Sequence, residues 1–100
     1  MSAVSCLLWE RLERELAKAK ANADTAKIAV LRLVEAARVD HERLHGPVTK
    51  EKDARAIVIG VCEARETAAV AFEAAGRSDL AEIERTDAAL VAALLGVSRG

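Results

Sequence analysis

Between Phe72 and Leu80 the chain reads Phe-Glu-Ala-Ala-Gly-Arg-Ser-Asp-Leu, a helical pattern that meets a glycine and restarts within a few residues. A glycine just past a helix end can take the left-handed backbone conformation that closes it, a conformation that costs other residues roughly 1–2 kcal/mol. Arg77-Ser78-Asp79 then forms a short polar corner in which Ser78 or Asp79 is expected to cap or charge the N-terminus of the next helix. A stop and restart this close together joins antiparallel neighbours.

The remaining punctuation places three more helices in front of that corner. Gly46-Pro47 is the clearest break, Gly76 and Gly96 end two further helices, and no strand-like alternation occurs. From about Ser5 to Ala21, Leu8, Leu12, Leu16 and Ala19 share one face, while Glu10, Arg11, Glu13, Arg14 and Glu15 cover the other. Asp24 is the expected N-cap of a second helix reaching about Leu44; its middle, Ile28 to Val34, is apolar all round except for Arg32, which suits a central position. Thr49 is the expected N-cap of the third and longest helix, running to Ala75. Its expected inner stripe is Ala54, Ile57, Val61, Ala64, Ala68 and Phe72, with Gly60 tolerated for a close helix crossing. A fourth helix, from Asp79 to Leu95, would turn Leu80, Ile83, Leu90, Val91 and Leu94 inward. The expectation is an all-α chain, one small bundle of about four helices spanning residues 1–100 as a single domain.

Composition narrows the function classes. With 52% hydrophobic and 31% charged residues the chain is no disordered segment, and no apolar run approaches the ~20 residues that cross a bilayer. The first ten residues lack a basic region followed by a long apolar one, so no secretory signal is expected. Two cysteines without metal-type spacing point to a reduced, cytoplasmic protein. The formal charge of −1 supplies no general attraction to nucleic acid or acidic membranes.

The stretch Phe72–Leu80 resembles the F-E-x-A-G-R-x-D-L signature of the GatB/YqeY family, helical proteins related to the tail of the tRNA-dependent amidotransferase B subunit. Leu8-Trp9-Glu10-Arg11-Leu12 and Lys18-Ala19-Lys20 are similar to that family's opening helix. Lys27-Ile28-Ala29-Val30-Leu31-Arg32-Leu33 is similar to its second, and Glu63 to Ala68 to the turn before the signature. The likeness covers about residues 7 to 95 and makes Phe72, Gly76, Asp79 and Leu80 its structural motif. It implies a tRNA-associated role. The family usually continues after Leu90 into a Y-L-P sequence and a further helical tail linked to tRNA contact, whereas this chain reads Val91 to Gly100. The expected part is therefore the N-terminal helical portion.

Side chains with chemistry are few. His41 and His45 stand four apart, a spacing able to put two imidazoles on one metal, but His41-Glu42-Arg43-Leu44-His45 is not H-E-x-x-H. The favoured reading places them at the negative end of their helix, with no metal and no cofactor. Cys62 reads as a small packing residue, and no phosphate loop, nucleophile elbow or paired catalytic carboxylates occur, so no enzyme is expected. Arg32, Arg65 and Arg77 each sit in apolar or glycine-containing surroundings. They either pair with Glu35, Glu66, Asp79 or Glu84, or form a small cationic interaction surface. The partners this allows are another protein or a second copy, and tRNA weakly; DNA and membranes are not expected.

Overall fold

The computed structural model describes residues 6–96. Four helices follow one another, α1 (Leu7–Ala21), α2 (Thr25–His45), α3 (Glu51–Ala74) and α4 (Ser78–Ala92), and a 3-10 turn at Ala93–Leu95 follows α4. Among the described residues there is no strand, and no helix is long and apolar enough to cross a membrane. The expected start of α1 at Ser5 lies outside the described residues.

The amphipathic pattern of α1 translates directly into packing. Leu8, Trp9, Leu12, Leu16 and Ala19 are buried, and they meet Val30, Leu31 and Val34 of α2, Ala54 and Val58 of α3, and Val91 and Leu94 at the chain's far end. α2 touches each of the other three helices, but its outer side leaves Leu33 and Val39 exposed. A helix apolar nearly all round thus sits beside the core with one stripe toward solvent.

Both short corners are Schellman closures that lead straight into the next helix. At the first, Asp24 N–H donates to Ala19 O at 2.9 Å and Ala23 N–H to Lys20 O at 3.1 Å. At the second, Arg77 N–H donates to Phe72 O at 2.8 Å and Gly76 N–H to Glu73 O at 3.0 Å. The left-handed position is Gly76 (φ +76°) in one and Ala23 (φ +52°) in the other. Asp24 caps α2 as expected, its side chain accepting from Lys27 N–H at 3.2 Å.

Five expectations are corrected, some of them in part. Lys50, not Thr49, stands at the N-cap of α3, and Arg77, not Ser78 or Asp79, at that of α4, neither cap using a side chain; Asp79 does charge the first turn of α4, as expected. Of the expected α3 stripe Ala54 is buried and Ile57 and Val61 pack against the core, but Ala64 is exposed and Phe72 only half-buried, and Val58 and Ala69 are buried instead. The most extensive packing of α3 is against α4. Gly60 is exposed, with nothing within 4 Å of where a Cβ would lie, so no helix crosses there. Ile83 points to solvent, and α4 instead buries Ala81, Ala88 and Val91.

Candidate interaction surface

The shared core ends at Cys62 on α3 and begins again at Leu90 on α4. Between these points the two helices form a hairpin whose buried residues, Ala69, Ala81 and Ala88, are small enough for close approach. The molecule measures 54 × 32 × 30 Å, its long axis well beyond the ~36 Å that 24 helical residues span. Phe72, Gly76, Asp79 and Leu80 therefore lie at the tip of an element that the other helices do not enclose. On its flanks Val70 is 64% and Ile83 55% exposed. Residues 63–87 carry seven Asp/Glu against three Lys/Arg, whereas residues 6–62 carry nine against eleven. The hairpin is the acidic end of a chain that is nearly neutral as a whole.

Two of the three singled-out arginines have carboxylate partners. Arg65 Nη1 lies 3.3 Å from Glu84 Oε1 across the hairpin. The contact is one of charge rather than an aligned hydrogen bond, since Arg65 Nε and Glu84 Oε1 are buried without a hydrogen-bond partner. Arg77 grips Asp79 through both nitrogens, Nε to Oδ1 at 3.2 Å and Nη2 to Oδ2 at 3.1 Å, which holds the Asp79 carboxyl below its usual range. Asp79 thereby stays anionic in the first turn of α4, where the helix dipole favours it. Arg32 is exposed and has no ion-pair partner among the described residues. It borders an open groove between α1 and α2, whereas Arg65 borders an apolar one with Leu33, Ile57 and Gly60. The structure gathers none of the three onto a common groove.

At the opposite end a clasp fastens the α2–α3 connection to α1. Trp9 Nε1 donates to Val48 O at 3.1 Å, Val48 N–H donates to Glu42 Oε2 at 2.8 Å, and Arg38 donates to the same oxygen at 3.3 Å. The Arg38 guanidinium covers the Trp9 ring at 4.6 Å, closing the circle. The Val48 amide, followed by Arg38, lowers the Glu42 carboxyl below its ordinary value. Beside it, Cys6 Sγ donates to Glu51 Oε1 at 3.1 Å, and the Leu8 amide to the same atom at 3.3 Å. The chain's C-terminal turn is held the same way, Arg11 donating to Leu94 O and Arg55 to Leu95 O. Apart from the local Arg38–Glu42 and Glu42–Val48 contacts, these ties join residues far apart in the chain and carry no local sequence signal; the one hint is that the single Trp needs an acceptor for its N–H once buried.

Burial pushes the Cys6 and Cys62 thiols upward from their ordinary value. His41 and His45 stack at the end of α2, ring centroids 4.5 Å apart. A family model described as a Yqey-like protein matches residues 9–96. No curated protein and no solved structure matches the chain.

Proposed function

The chain belongs to the YqeY-like family, and on that footing we propose that it is a non-catalytic helical module whose α3–α4 hairpin docks a protein partner. The observation that carries this reading is the hairpin itself. It extends past the shared core, exposes Val70 and Ile83, and concentrates the chain's acidic surplus. Such a face suits a basic partner with apolar anchors, since apolar contacts supply affinity and complementary charge supplies encounter rate and register. A cytoplasmic location accompanies the reading, because both cysteines are free and separately placed.

The test is affinity capture from the native host, read for both protein and RNA, with the wild type beside a Val70→Glu/Ile83→Glu variant. A protein captured by the wild type and lost with the variant supports the proposal; capture of RNA unchanged by the variant counts against it. A second reading, a tRNA-associated factor related to the amidotransferase B-subunit tail, draws on the slight basic surplus of residues 6–62 and the exposed Arg32. Phosphate contacts need a larger local surplus, and the only Trp is buried and already bonded to Val48. The chain alone is therefore expected to bind tRNA no tighter than ~10⁻⁵ M at physiological salt. Saturable sub-micromolar binding of labelled tRNA that survives competitor RNA would establish the second reading, with Arg32, Arg65 and Arg77 the first residues to neutralise.

A further inference from the structure

We propose that His41 and His45 form a two-imidazole chelate for a divalent transition-metal ion at the open end of α2. The two rings lie side by side across one helical turn, with centroids 4.5 Å apart and planes inclined by 41°. Imidazole bonds to such ions are about 2.0–2.1 Å long, which places each ring centroid about 3.2 Å from the metal. Two rings meeting at a right angle on one ion then have centroids about 4.5 Å apart, the separation already present. The centroid separation is thus compatible with both rings reaching one ion.

The surroundings favour a cation. His45 is exposed and His41 half-buried, and neither ring is hydrogen-bonded among the described residues. The helix stops at Gly46, φ +85°, so the carbonyls of its last turn direct partial negative charge toward the pair. The nearby carboxylates are engaged elsewhere: Asp40 faces Arg43 at 3.5 Å, and Glu42 holds Val48 N–H and Arg38. Among the described residues no third metal-binding side chain joins the two. The ion keeps water in its remaining positions, and a nitrogen-only pair selects Ni²⁺, Cu²⁺ or Zn²⁺ over Mg²⁺ and Ca²⁺.

Titration of the full chain with Ni²⁺, followed by calorimetry and by ¹H–¹⁵N spectra, tests the assignment. One ion per chain is expected, with paramagnetic broadening confined to α2's last turn and the following connection. His41→Gln and His45→Gln should each weaken Ni²⁺ at least about tenfold, because the second imidazole binds intramolecularly. Their far-UV circular dichroism should be unchanged, since neither ring belongs to the core. Equal affinity in the double Gln variant, broadening centred on Cys6 or Cys62, or Mg²⁺ binding as tight as Ni²⁺ would each overturn it.

Discussion

Ala23 and Gly76 occupy the same position in two corners of the same design, and only one of them has the side chain that position prefers. Ala23 sits at φ +52°, where a Cβ crowds the following carbonyl; Gly76 at φ +76° avoids that cost. Ala23→Gly should therefore raise stability by about 1 kcal/mol, less whatever the extra unfolded-state freedom of glycine takes back. Gly76→Val should lower it by about 1–2 kcal/mol, and the loss is conformational, because a Cβ there would meet nothing within 4 Å. Chemical denaturation of both variants at constant m-value checks the pair. A destabilised Ala23→Gly would mean that the left-handed alanine is not strained. Gly76 was legible in the sequence because glycine advertises its conformation. Ala23 was not, since alanine is the best helix former and nothing local marks it as a stop.

At the scale of the element, each helix was legible to within a few residues of its ends, because periodicity and glycine punctuation are local signals. The inward face of α3 was legible only in part. Ala54, Ile57 and Val61 of the expected stripe do pack on the core, but beyond them Ala69 is buried where Ala64 is exposed and Phe72 half-buried, a choice made by packing against α4 rather than by periodicity. The clasp at the α2–α3 connection was equally hidden, as Trp9 stands 39 residues from the Val48 carbonyl that it binds. Its energetics can be read from Glu42, whose folded carboxyl lies below its ordinary value on account of the Val48 amide and then Arg38. A depressed folded pKa means the unfolded chain binds the proton more readily. The contribution is present above the unfolded value of about 4.3 and is lost as pH falls through the folded one. Glu15, lowered first by Lys27, and Glu51, lowered first by the Cys6 thiol, act with the same sign. Melting temperature should therefore fall on acidification below about pH 5, and less steeply in Glu42→Gln. At neutral pH Glu42→Ala should cost about 1.5–3 kcal/mol, the range for a hydrogen bond to a charged group. An acid limb equally steep in wild type and Glu42→Gln would remove Glu42 from the account.

For the whole molecule, the consequence of this architecture is uneven stability. The core around Leu8, Leu12, Leu31, Val34, Val58 and Val91 is fully buried and draws on all four helices. Past Cys62 the hairpin buries chiefly alanine methyls, worth about 0.8 kcal/mol per buried carbon, and relies on pairs such as Arg85–Glu73 that are half exposed and worth about 0–1 kcal/mol. Phe72 is half-buried outside the core, so Phe72→Ala should cost about 1–2 kcal/mol, whereas Leu12→Ala should cost about 2–5 kcal/mol. The hairpin should open as a unit of its own. Native-state hydrogen exchange should find amides of residues 66–86 opening at least about 2 kcal/mol more easily than those of Leu12, Leu31 and Val34. Phe72→Ala should widen that gap, lowering protection in the hairpin and leaving the core's nearly unchanged. Protection uniform from α1 to α4, or a loss from Phe72→Ala spread evenly over the chain, would show a single cooperative unit instead. The same measurement bears on docking: a partner that seats on Val70 and Ile83 must order an element the fold leaves loose. Its binding should therefore raise protection in residues 66–86 before anywhere else.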